Sequence, residues 1–151
     1  MILNRRDTLL GLAVLLLPTS VNATPAEVVA SIAETFGERP IVDAKGAITI
    51  EAPPLAESGN SVPLTVSVES AMTGDDRVVR LAIFAEQNPR PKTCDVVFGP
   101  AAAEARLTTN IRLASTQSVV CVAEMADGRL LQARHAIRVV VGACTTLPGR
   151  Y

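Results

Sequence analysis

The side chains of this 151-residue chain best suited to covalent chemistry are three cysteines and a single histidine. Cys144 stands in Val139-Val140-Val141-Gly142-Ala143-Cys144-Thr145-Thr146, where an apolar β-type run stops at a glycine and the thiol follows among small side chains. Leu147-Pro148-Gly149-Arg150-Tyr151 completes the sequence. A thiol in such a Gly/Pro-containing terminal stretch is badly placed for core packing, because chain ends of this kind are usually solvated. Small neighbours would let the sulfur enter a narrow cleft on another protein. From Arg138 to Tyr151 the charged side chains are Arg138 and Arg150, with no acid. That favours a thiolate modestly, and an unperturbed thiol of pKa about 8.5 is already a few per cent thiolate at pH 7 and nucleophilic. The competing reading makes Cys144 a disulfide partner or an incidental thiol. Cys94 and Cys121 fall within or beside β-type runs, and for both the expectation is core filler or a structural disulfide with each other.

The other candidates carry less. His135 excludes a two-histidine motif by being alone, and it is expected on a strand with its ring at the surface. Asp75-Asp76 sits in a turn, where Asp serves backbone hydrogen bonding. Met72 and Met125 are too few for a soft-metal site. Gly142-Ala143-Cys144 is not a phosphate loop. No metal site and no enzyme active site is readable. A formal charge of −1 with basic residues spread singly gives no nucleic-acid footprint. No Trp, one Tyr and three Phe leave the core to aliphatic residues and give no sign of an aromatic-lined pocket.

These residues need a scaffold and an address. Arg5-Arg6, the apolar run Leu9 to Leu17 and Val21-Asn22-Ala23 read as a Tat-type signal peptide over residues 1–23, which implies export to the periplasm. The apolar run is too short for a membrane span of about 20 residues, so the mature form is expected to have none. With three cysteines in an exported chain, any one internal disulfide leaves one thiol over. Cys94–Cys121 would leave Cys144 free, either other pairing would capture it, and all three pairings stay open. Thr24-Pro25-Ala26-Glu27 opens a helix, and Val28, Val29, Ile32, Ala33 and Phe36 recur at helical spacing before Gly37. Strands are expected near 47–51, 62–70, 77–85, 93–98, 105–113, 118–125 and 130–141. Turns are expected at Glu57-Ser58-Gly59-Asn60, Thr73-Gly74-Asp75-Asp76 and Asp127-Gly128. The fold class is therefore all-β, an immunoglobulin-like antiparallel β-sandwich with one short N-terminal helix, over residues 24–141. Residues 142–151 would form a C-terminal arm bearing the cysteine.

Several blocks of sequence resemble the SoxY family, sulfur-carrier subunits of bacterial thiosulfate oxidation. They are Glu57 to Val66 (ESGNSVPLTV), Phe84 to Pro89 (FAEQNP), Ile111 to Val120 (IRLASTQSVV), Val122 to Gly128 (VAEMADG) and the glycine-linked Cys144. The resemblance implies that Cys144 is the covalent attachment point for sulfur intermediates and that Gly142 and Ala143 form a flexible arm thin enough for enclosed active sites. It implies pairing with a SoxZ-like subunit in the periplasm. A SoxXA-type cytochrome would join thiosulfate oxidatively to the cysteine, and a SoxB-type hydrolase would release sulfate. The resemblance also admits a SoxCD-type sulfur dehydrogenase for the remaining sulfane. The carrier itself would be non-catalytic and need no cofactor. The arm departs from the family's Gly-Gly-Cys-Gly-Gly ending at Ala143, at Thr145-Thr146 and in the extension Leu147 to Tyr151, and Cys94 and Cys121 lie outside the carrier pattern. A second reading is a diverged immunoglobulin-like interaction module with Cys144 locked in a disulfide. A third, a redox enzyme using Cys144 with a resolving cysteine, is opposed by the lack of a Cys-x-x-Cys pair.

Overall fold

In the computed structural model, which describes residues 25–143, helix α1 (Pro25–Phe36) is followed by strands β1 (Ile41–Asp43), β2 (Ile48–Glu51), β3 (Leu55–Ser58) and β4 (Val62–Val68). A single 3-10 turn, Gly74–Asp76, then leads into β5 (Val78–Ala85), β6 (Lys92–Val97), β7 (Ala105–Ile111), β8 (Gln117–Met125) and β9 (Leu130–Val141). The strands form two sheets. The larger has the order β1-β9-β8-β5-β6, with β3 also paired to β9, and the smaller has the order β2-β4-β7.

β4 shows the simplest cause of the sandwich. Val62, Leu64, Val66 and Val68 are buried while the residues between them are not, the period of two that puts one face of a strand on a core. β5 and β8 are apolar without such alternation because both of their faces are covered. Leu81, Ile83, Ala85, Val119, Cys121 and Ala123 point between the sheets, whereas Ala82, Phe84, Val120 and Val122 point outward beneath α1. Val28, Ile32 and Phe36, spaced by four, are the helix's contribution to that second core. The result is three layers: a helix, a six-stranded sheet and a three-stranded sheet.

Two expectations are corrected at the edge of the large sheet. β1 and β3 were not anticipated, and both run parallel to β9, Ile41 to Asp43 along Leu130 to Gln132 and Leu55 to Ser58 along Arg138 to Val141. The expected Glu57 to Asn60 turn is confined to Gly59-Asn60, because Glu57 and Ser58 belong to β3. These strands are too short to show periodicity, and only their pairing with a strand some 80 residues later defines them. The tight turn at Asp127-Gly128 is present, with Gly128 at φ 88° and the Asp127 carboxylate accepting from Arg129 N at 3.0 Å.

Two arginines fasten the end of α1. Arg80 donates to both Asp95 carboxylate oxygens, at 2.8 and 2.6 Å, and to Thr35 O at 2.8 Å, with its guanidinium 5.3 Å from the Phe36 ring centroid. Arg39 donates to Phe36 O at 2.8 Å and Glu124 Oε1 at 2.7 Å. The hydrogen bond from Arg80 holds the Asp95 carboxyl below the usual carboxylate range. A carboxyl depressed on folding adds stability above its unfolded pKa of about 3.9, and that stability is lost as pH falls through the folded value. Asp95→Asn should therefore melt below wild type at neutral pH, with the gap closing on acidification below about pH 4. Thermal melts across that range test it, and a gap independent of pH would refute it.

Candidate functional site at the foot of the C-terminal arm

β9 delivers the chain to Gly142 and Ala143, and its exit is fixed by backbone contacts. Gly59 N donates to Val141 O at 2.7 Å, Leu113 N to Gly59 O at 2.8 Å, and Ala143 N to Leu113 O at 2.9 Å. Just upstream, Thr116 Oγ1 accepts from Val139 N at 2.9 Å and donates to Val139 O at 3.1 Å. Three chain segments thus converge, and two of them can do so only as glycine. A Cβ on Gly59 would lie 2.0 Å from Leu113 O and 2.9 Å from Ala143 N, and one on Gly142 would lie 2.0 Å from Ala114 O.

In the structure the first two residues of the expected arm, Gly142 and Ala143, lie against the body. Ala143 is 6% exposed and hydrogen-bonded, and Gly142 is required for close approach to Ala114. Both belong to the body as a pinned foot. Cys144 is the next residue in the chain; it lies outside the described residues, as do the remainder of the expected arm and residues 1–24, where the signal peptide is expected.

Behind the foot lies a pair of buried amides. Asn88 donates to Arg112 O at 2.7 Å, and its Oδ1 accepts from Ala114 N at 2.9 Å and from Gln117 Nε2 at 3.0 Å. Gln117 Nε2 also reaches Ser115 O at 3.2 Å, while its Oε1 accepts from Gln87 N at 2.7 Å. Asn88 and Gln117 are 6% and 5% exposed. Their hydrogen bonds are satisfied, as burial demands, and they fix Arg112 to Ser115, the segment that receives Ala143. Neither residue was singled out from the sequence. A buried amide looks like any surface Asn or Gln until its partners, here mostly 24 to 30 residues away, are known.

The other two cysteines are held away from chemistry. Cys94 on β6 and Cys121 on β8 both stand opposite Ile83 of the intervening β5. They are two strand spacings apart, about 9–10 Å, beyond the roughly 7 Å Cα separation a disulfide tolerates. Both thiols are free. Of the two structural roles expected, the structure shows packing and not the disulfide. Burial pushes the Cys121 thiol up to about 12, with Cys94 adding to the effect, and burial raises the Cys94 thiol as well. Neither supplies thiolate near neutral pH.

His135 also departs from expectation. It lies between Ala133 and Ile137 on β9, both turned to the inter-sheet core, and its Nε2 is buried without a hydrogen-bond partner. The residue is half-buried, with Nε2 turned inward. Among the described residues no group of three or more His, Cys, Asp or Glu could hold a metal ion, and no helix is long and apolar enough to cross a membrane.

The family model described as "Sulfur oxidation protein SoxY" matches residues 32–144, ending on Cys144. The chain belongs to the SoxY family. Among solved structures it is similar to the sulfur carrier protein SoxY from Chlorobium limicola f thiosulfatophilum, at 27% identity and TM-score 0.64, over 76% of this chain and 92% of that one. It is also similar to the superoxide reductase (neelaredoxin) from Ignicoccus hospitalis, at 18% identity and TM-score 0.53 over 79% and 95% of the two chains, a likeness of fold alone. No curated protein matches it in sequence. Three of the blocks that carried the SoxY resemblance meet at the foot. Gly59 comes from the first, Asn88 from the second, and Leu113, Ala114 and Gln117 from the third.

Proposed function

We propose that this SoxY-family chain is a periplasmic sulfur carrier that binds thiosulfate-derived intermediates covalently on Cys144. The observation that carries the reading is the division among the three thiols. Cys94 and Cys121 are built into the sheet with raised pKa values, while the family match ends on Cys144, directly after the pinned foot. A carrier needs a nucleophilic sulfur at a defined place on a stable body, and Cys94 and Cys121 do not supply one. The Chlorobium protein's description as a sulfur carrier supports the same role here. The partners implied are a SoxZ-like subunit, a SoxXA-type cytochrome, a SoxB-type hydrolase and a SoxCD-type dehydrogenase. The carrier holds the sulfur while those enzymes perform the oxidation and hydrolysis. Export follows from the twin-arginine leader.

Intact mass of the protein isolated from cells oxidising thiosulfate tests this. The expected result is a mature chain beginning at Thr24 with sulfur or thiosulfonate adducts that map to the peptide containing Cys144 and are removed by thiol reductant. Unmodified wild type under active oxidation would overturn the carrier reading, and a retained leader would overturn export.

A further inference from the structure

We infer that Asn88 and Gln117 are positioning residues for the carrier thiol, acting through the Arg112–Ser115 segment that clamps Gly142 and Ala143. The proposal rests on Cys144 being the carrier cysteine. It concerns where the fold holds that cysteine and how far it can travel.

The linkage runs through contacts already described. Asn88 Oδ1 takes Ala114 N, Asn88 Nδ2 gives to Arg112 O, and Gln117 closes the pair through Asn88 Oδ1 and Ser115 O. The segment so fixed presents Leu113 O to Ala143 N and sets Ala114 O against the bare Cα of Gly142. Nothing else described holds Ala143 by a hydrogen bond, so the position of the foot is only as definite as the position of residues 112–115.

The consequence is a limit on reach. Consecutive Cα atoms are about 3.8 Å apart, so with Ala143 docked the Cys144 sulfur stays within about 7 Å of the foot. Peeling the chain back to Val141, whose carbonyl Gly59 N holds, frees residues 142–144, and three extended residues span about 10 Å. The amide pair therefore sets the balance between a short docked arm and a long released one. A shallow partner site can be served by the first, and a deep one only by the second. Glycine at 142 is what allows docking, since a side chain there would displace the foot.

A nitroxide spin label on Cys144 of the full mature chain reads this balance without any sulfur chemistry. Asn88→Asp keeps the size and the acceptor but removes the donor to Arg112 O. Gly142→Ala disturbs docking without touching the core. Asn88→Asp should raise the released, fast-moving fraction of the Cys144 label roughly fivefold, the scale of losing one hydrogen bond, and Gly142→Ala, through its clash with Ala114 O, should raise it at least as much. A label at Val97→Cys on the distant β6 edge, in a Cys144→Ser background, should be unchanged by either. Thermal melts confirm that each variant is folded, and if Asn88→Asp does not fold, Gly142→Ala together with Gln117→Glu decides the matter. Identical Cys144 spectra in wild type and the folded variants would overturn the positioning role, as would a wild-type label already fully mobile. Failure of the carrier reading would show separately, as absent adducts on a wild-type protein whose label still responds to the variants.

Discussion

Replacing Cys144 with serine is expected to abolish sulfur loading completely while leaving the fold unchanged. The effect is all-or-none because a hydroxyl is not a nucleophile of comparable reactivity at neutral pH and forms no sulfur–sulfur bond. Neither remaining thiol can substitute. Cys121 is 1% exposed and its pKa is pushed up to about 12, and Cys94 is raised by burial within the sheet. Native-state alkylation should therefore show one fast-reacting thiol in the reduced wild type and none in Cys144→Ser, with the half-buried Cys94 slower and Cys121 appearing only on denaturation. Thiosulfate-dependent oxidation reconstituted with the variant should fall to background, and its melting temperature should match wild type. Persisting adducts in Cys144→Ser would move the attachment point elsewhere.

The largest effect on stability is expected at Phe84. It is fully buried and shares the second core with Val28, Ile32 and Phe36 of α1 and with Val120, Val122 and Leu130 of the sheet. Removing its ring leaves a cavity between two layers whose backbones are each held by their own hydrogen bonds, so collapse is incomplete. Phe84→Ala should cost about 3–5 kcal/mol, a large part of the 5–15 kcal/mol that holds most domains together. For a domain of this size that lowers the melting temperature by about 10–20 °C. Val97→Ala, at a residue 73% exposed on β6, is the control and should change stability by less than about 0.5 kcal/mol. Urea unfolding at 25 °C measures both. A loss under about 1 kcal/mol at Phe84 would mean that α1 does not complete this core.

Much of this was readable from residues alone. Period-two alternation fixed β4, and helical spacing ending at Gly37 fixed α1, because both patterns are local and repeat several times. β5 and β8 were visible as apolar runs bounded by turns, although which face met the helix was not. β1 and β3 were invisible for the converse reason. Three or four residues carry no period, and their edge pairing with β9 exists only in three dimensions. The Cys94–Cys121 disulfide failed on a single strand of topology, since β5 runs between them. His135 was misplaced because one polar residue in a strand does not reveal which side it takes.

The site divides in the same way. Residue types and spacing were enough to set Cys144 apart as the candidate, since a thiol beyond the last strand and among small residues is a local pattern. How the two residues before it are held emerges from long-range contacts alone. Gly142 was read as part of a flexible arm, and Asn88 and Gln117 were given no role of their own. Close approach of Gly142 to Ala114 and burial of the two amides behind it turn the same residues into an anchor. The physical reason is range. Nucleophilicity and backbone freedom are properties of a residue and its neighbours, whereas excluded volume and hydrogen-bond satisfaction depend on segments that are distant in the chain and adjacent in space.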